Sequence, residues 1–513
     1  MTQNAGTQAG KQVIYNFAVR IGGLSVGFLT DLIFARHLGS DHFGLFSLGI
    51  SIMSIISVFA VSGFPGALVR AIAKAGTGPD SRAAGYLKLA MVSVLWVSVL
   101  AGAALVAGRT LLASSVFDEP RLNAILLPTA IQLVLFSLCS LWLGVFEGAR
   151  ISHLGYAIRE VLVRVFKIAF FFLVAHWLGA TAVSLMWGFC LGQCAALLLY
   201  FTWGRRYGGD TFGLKAILTA KLPPFVERKD FIRFNWTLLL NAVMGLLLMH
   251  ASRLLLGYSG SPAQIGIFSV AINIGSLLVL GLGAVNVVVM PMVARLHQAK
   301  DQQNLRVLFK ASFNAVTMFN APLFALMFYY AGDLLFLYGP DFVEGKDIVV
   351  LIGAAFFYYT VTGSNYPFLI MSTQYRYETA VTVVGGVGNA LLCYLTIPAF
   401  GISGAAVAFL VSKATMTTLR NIILYKYYHL TPISPQSLWF LILIPACLAL
   451  KHLLAKTGLP VIAEMALFLG AVSALSLLIY YHFVIREKER EILKNVRTSM
   501  LGVFYGIARQ TAG

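Results

Sequence analysis

Apolar positions in this chain come in long unbroken runs, with polar residues gathered between them. A helix needs about 20 apolar residues to cross a bilayer. Runs of that order fall at 13–36, 42–66, 83–108, 122–146, 157–178, 180–202, 233–257, 263–290, 308–330, 347–371, 377–397, 402–424, 436–455 and 460–484. Barrel-type alternation is absent, so the spans read as helices. The pattern predicts an all-α, polytopic integral membrane protein of about fourteen transmembrane helices.

The runs repeat. Residues 43–50 read FGLFSLGI and residues 265–272 read IGIFSVAI, an offset of 222 that pairs Gly44 with Gly266, Phe46 with Phe268 and Ser47 with Ser269. The same offset places Gly179 of HWLGATAV on Gly401 of PAFGISGA. One six-helix unit used twice is the expectation: a lobe at 1–202, a cytoplasmic linker at 203–232, a second lobe at 233–430, an added helix pair at 431–484 and a basic cytoplasmic tail at 485–513. Two similar membrane lobes are a common frame for alternating access.

Composition agrees with that class. Hydrophobic residues make up 59% and charged residues 11%, against about 25% charged in a soluble domain. With the N-terminus placed in the cytoplasm, 29 of the 38 Lys and Arg fall in or beside inside loops, which satisfies the positive-inside rule and puts both termini in the cytoplasm. The +18 charge then faces anionic lipid headgroups rather than nucleic acid. The five cysteines lie in apolar runs without metal-ligand spacing, so neither a metal nor a cofactor is expected. There is no P-loop, so ATP hydrolysis by this chain is not expected.

The stretch DLIFARHLGSDHFGLFSL resembles the opening signature of prokaryotic polysaccharide transporters, the O-antigen repeat-unit flippases of the multidrug/oligosaccharidyl-lipid/polysaccharide (MOP) superfamily. SRLLLGYSGSPAQIGIFSVAINIGSLL, NVVVMPMVARLHQAKD, LYGPDFVEG and FGISGAAVAFLVSK follow in the same order, so the resemblance spans nearly all of 12–430. It implies two lobes around a central cavity in the cytoplasmic membrane. It also implies flipping of undecaprenyl-pyrophosphate-linked oligosaccharide for surface polysaccharide or lipopolysaccharide synthesis. A coupling ion, H+ or Na+, and a polysaccharide polymerase are further expected partners. Two positions depart. Relatives often carry an acid where this chain has Ser252, and lipid II flippases usually have Arg where this chain has Thr30.

Such cargo brings phosphates into a partly dehydrated space, where cations bind them. Ionisable residues inside spans are costly and usually functional. In the first span Asn16, Arg20, Gly23, Gly27 and Asp31 form one small and polar stripe at helical spacing. Arg20, Lys413, Arg164 and Lys167 are the candidate pyrophosphate ligands, Arg36 and Arg253 the candidate gate, and Asp31, Glu147 and His250 the candidates for ion coupling. Each has a bland alternative: lipid snorkelling for the cations, a helix ion pair of Glu160 with Arg164, and packing for the histidine. The rival functions are another MOP-type carrier, either a lipid II flippase or a drug/cation antiporter, and a polysaccharide polymerase. Mid-span cations disfavour a drug exporter. The short outside connection 331–346 lacks a catalytic constellation, so no enzyme is expected.

Overall fold

The computed structural model describes residues 2–76, 82–259, 261–362, 364–370 and 375–485. Most of the expected basic tail therefore lies outside the described residues, as does the Arg20 side chain, although Arg20 itself is in the first helix. All regular structure among the described residues is helical. Eleven segments there are long and apolar enough to cross a membrane.

That number differs from the expected one for physical reasons. Two of the eleven, Ser25–Ala75 and Arg376–Tyr428, run through a turn made by a glycine of positive φ, Gly39 and Gly401. The run at 347–371 is broken: a 16-residue helix, Lys346–Val361, stops and a six-residue helix, Asn365–Ile370, follows. Near the break sit Thr362, Ser364 and Asn365, side chains that compete for backbone hydrogen bonds; the Thr362 hydroxyl donates to the Tyr358 carbonyl.

The chain forms two compact units. One comprises 18–269 with 389–405, the other 1–17, 270–388 and 406–513. In the first, the helices Phe64–Ala75, Ala83–Ala107, Leu122–Gly148 and Ala182–Gly208 pack around Trp142, Phe146, Tyr200 and Phe212. The Val163–Leu178 helix turns into Ala182–Gly208 at Gly179, φ 76°. Thr181 then caps the new helix, its hydroxyl accepting from the Ser184 backbone N–H at 3.3 Å. The linker is pinned to the Ala83–Ala107 helix. Lys88 donates to the carbonyls of Leu218 and Ala220, and Glu227 accepts from Arg82 and the Tyr86 hydroxyl.

Repeat-related positions share geometry. Gly179 and Gly401, 222 residues apart, both hold positive φ (76° and 53°), a conformation that side chains with a Cβ avoid. Gly44 and Gly266 meet. A methyl on Gly44 would run into the Pro262 carbonyl and lie 2.7 Å from the Gly266 nitrogen. A methyl on Gly266 would run into the Ser40 carbonyl and lie 3.2 Å from the Gly44 nitrogen. Ser40 and Pro262 are again 222 apart, so each octapeptide glycine rests on the counterpart of the residue beneath the other.

In the second unit the helix pair at the C-terminal end of the described chain is anchored at Tyr330. Its hydroxyl donates to Glu464 at 2.9 Å, Lys451 pairs with Glu464 at 3.0 Å, and the Lys451 ammonium lies 3.6 Å from the Tyr330 ring centre. The apolar cluster around Phe468, Phe440 and Cys447 completes that contact.

Candidate functional site: a cationic cavity in the first unit

The segment Ser152–Leu178 is a helix with one wide, π-helical turn at Ala157–Leu162. Such turns often sit at functional positions. This one carries Arg159 and Glu160, and Arg164 and Lys167 follow within two turns. All four line a cavity of about 650 Å³, together with Gln193 of the next helix and Ser57. Small-molecule sites fall in the same range, roughly 300–1,000 Å³.

Three cations and one carboxylate thus line the cavity. Glu160 pairs with Arg164 Nη2 at 3.2 Å and with Arg159 Nε at 3.4 Å. Arg164 Nη1 is buried without a hydrogen-bond partner among the described residues. The Lys167 ammonium lies 4.1 Å from the Phe189 ring centre, a cation–π contact. The sum is an excess of positive charge in a space large enough for a polar headgroup.

The glycine stripe of the first span explains how these groups fit. Gly23 lies against the Glu160 side chain, and a methyl on Gly27 would sit 2.6 Å from Arg164 Nη1. Glycines at helical spacing therefore make room for the ion pair. Asp31, one turn on, has Arg164, Arg253 and Lys167 as its charged neighbours. Gly192 on the Ala182–Gly208 helix leaves the corresponding room for Lys167, whose Cγ lies 2.8 Å from where its Cβ would be.

The other candidate residues are distributed as follows. Arg253 is partly buried, with its Nε unpartnered among the described residues, whereas Arg36 is exposed. His250 Nδ1 is 3.2 Å from the Ser51 hydroxyl, and Glu147 accepts from the Tyr156 hydroxyl at 2.5 Å. Ser252, where relatives often carry an acid, is in a neutral knot. Asn389 donates to its hydroxyl and to the Leu248 carbonyl, and Cys393 lies 3.3 Å from it. Lys413 belongs to the second unit and lies in a box of Phe356, Tyr359 and Phe409. Sequence reading missed Arg159 and Gln193 as lining residues, and missed the buried pair of Arg420 with Glu378. Arg159 looks like an ordinary inside-loop cation until the wide turn directs it inward. Arg420 carries a usable signal, since it lies seven residues, two turns, beyond Lys413.

Comparison with known proteins places this architecture among multi-pass helical membrane carriers. The fold matches a solved structure of the lipid II flippase MurJ in an inward closed conformation, with a TM-score of 0.70 and 13% identity over 92% of this chain and 100% of that one. It also matches an inward-facing multidrug resistance MATE family transporter of the MOP superfamily, with a TM-score of 0.59 and 14% identity over 82% and 94%. The model of the polysaccharide biosynthesis protein family matches residues 9–297, and the chain belongs to that family. Among curated proteins, it is 22% identical to the probable low-salt glycan biosynthesis flippase Agl15 of Haloferax volcanii, over 79% of this chain and 80% of that one.

Proposed function

We propose that this protein flips polyprenyl-pyrophosphate-linked oligosaccharide across a prokaryotic cytoplasmic membrane, for surface glycan synthesis. The observation that carries the reading is the cavity at Arg159, Arg164 and Lys167, where three cations and one carboxylate form the lining and a guanidinium nitrogen is left buried without a partner among the described residues. A diphosphate is the complement of that charge, and a guanidinium binds phosphate oxygens through paired N–H groups. Gln193 and the serines of the lining suit sugar hydroxyls, while the polyprenyl tail remains in lipid. The Agl15 flippase and the polysaccharide family support the cargo class.

In this reading the two lobes alternate access. Asp31, placed among Arg164, Arg253 and Lys167, is where a coupling ion and the diphosphate would compete for the same field.

The test is export in a strain lacking its own flippase, with surface glycan measured against membrane levels of each variant. Replacing Arg164 and Lys167 together by Gln removes charge-assisted contacts of about 1.5–3 kcal/mol each, so export falls roughly tenfold or more. Normal surface glycan from the double variant, present at wild-type levels, would sink the proposal.

A further inference from the structure

The second unit carries a cationic cluster that the cavity does not use. Lys413, Thr417 and Arg420 lie at i, i+4 and i+7 on the helix Tyr375–Tyr428, hence on one face. All are enclosed: Lys413 is 6% exposed, Arg420 4% and Thr417 0%. The broken segment opposite supplies the walls. Phe356 and Tyr359 come from its first part, and Tyr366 and Asn365 from its second. Tyr359 lies 4.2 Å from the Lys413 ammonium, and the Tyr366 ring centre is 5.7 Å from the Arg420 guanidinium carbon.

The charges here do not balance. Glu378 takes one edge of Arg420, accepting from Nε at 2.9 Å and from Nη2 at 2.5 Å. That neutralises Arg420. Lys413 has no carboxylate within ion-pair distance among the described residues, and its charged neighbour is Arg420, of like sign. Aromatic faces offset part of the desolvation of an ammonium, but a protonated Lys413 here is an uncompensated buried charge, which is strongly unfavourable unless a counter-ion joins it. Two hydrogen-bonding atoms on the same face are also unused. Arg420 Nη1, on the side away from Glu378, and Thr417 Oγ1 are both buried without a partner among the described residues. Buried orphan donors of this kind mark an unseen water or ion.

We infer that the second unit holds a small monovalent inorganic anion of chloride size, bound by Arg420 Nη1 and the Thr417 hydroxyl and balanced by Lys413. The enclosure sets the ligand class. A lipid-linked diphosphate does not reach groups this buried, whereas a dehydrated halide does, and one negative charge closes the local balance. Broken helices next to polar groups are the usual frame of ion sites in membrane carriers. The inference does not depend on the cargo proposed for the first unit, and it is read without transport.

The experiment uses the full-length purified protein in nanodiscs, with sodium chloride exchanged for sodium gluconate at constant ionic strength. Chloride should raise the melting temperature saturably, and bromide should do the same. Lys413→Met keeps the box filled and removes the uncompensated charge. It should be at least as stable as wild type in gluconate and should lose the chloride response. Thr417→Val should shift the chloride midpoint several-fold upward. Equal melting in chloride and gluconate, or a chloride response unchanged in Lys413→Met and Thr417→Val, overturns the site.

Discussion

The two units treat cations within apolar helices in opposite ways. In the first, Arg159, Arg164 and Lys167 border a cavity of about 650 Å³, Arg159 and Arg164 share Glu160, and room is left for a visitor. In the second, Lys413 and Arg420 are closed in by Phe356, Tyr359, Phe409 and Tyr366, and Glu378 is committed to Arg420. The difference is one of solvent access rather than residue type. A cation beside a wet cavity keeps its charge at little cost and can exchange partners. A sealed one must be matched permanently. The first arrangement suits a passing anionic headgroup and the second a resident ion.

The largest expected effect tests the sealed unit. Replacing Glu378 by Gln leaves Arg420 buried without its carboxylate, and breaking such a pair costs about 3–5 kcal/mol. Thermal unfolding of the purified variant should show a large loss of melting temperature, and Glu160→Gln beside the cavity should show a much smaller one. Equal losses would erase the distinction between the units.

A smaller effect tests the fit of the first span. Gly27→Ala puts a methyl 2.6 Å from Arg164 Nη1, so the guanidinium must move. A methyl on Gly22 would meet nothing within 4 Å, and Gly22→Ala gains only helix propensity, about 1 kcal/mol. Export should fall for Gly27→Ala and stay level for Gly22→Ala, with both proteins folded. Equal export from the two would mean that the placement of Arg164 by the stripe is irrelevant to transport.

The smallest effect concerns a loop of the first unit. Arg121 bridges Glu119 at 2.8 Å and Asp41. Hydrogen bonding from Arg121 holds the Glu119 carboxyl below its usual range and raises the guanidinium's own affinity for its proton. A lowered carboxylate stabilises the fold above its unfolded-state range and loses that contribution as pH falls through the folded value. The Arg121 side chain is 47% exposed and Glu119 15%, so solvent screens the pair, the contribution is below about 1 kcal/mol and it weakens with salt. The melting-temperature gap between wild type and Glu119→Gln should therefore close as pH falls from neutral towards 3. A gap that widens on acidification would reverse the assigned sign.

Much of the architecture was legible because bilayers impose a coarse rule. A backbone in hydrocarbon must satisfy itself, so apolar length alone marks the helices. The span at 347–371 reads as continuous in sequence because its polar break, Thr362 to Asn365, is too short to lower the apolar average. The glycines were legible too. Gly179 and Gly401 hold positive φ, and Gly44 and Gly266 are needed where two helices touch. Both demands act on a single residue and leave a mark at that residue.

What the sequence by itself determined is therefore local: helices, their glycine turns and a repeat of 222 residues whose related glycines share a conformation or a contact. The tertiary structure alone decided which cations are accessible and which are sealed. Arg164 and Lys413 look alike in sequence, each a basic residue inside an apolar run. Their difference comes from groups remote in the chain, Gly27 and Glu160 around the one, Phe356 and Tyr359 around the other. Electrostatic character in a membrane depends on the dielectric and partners within a few ångströms, and those are set by packing between helices.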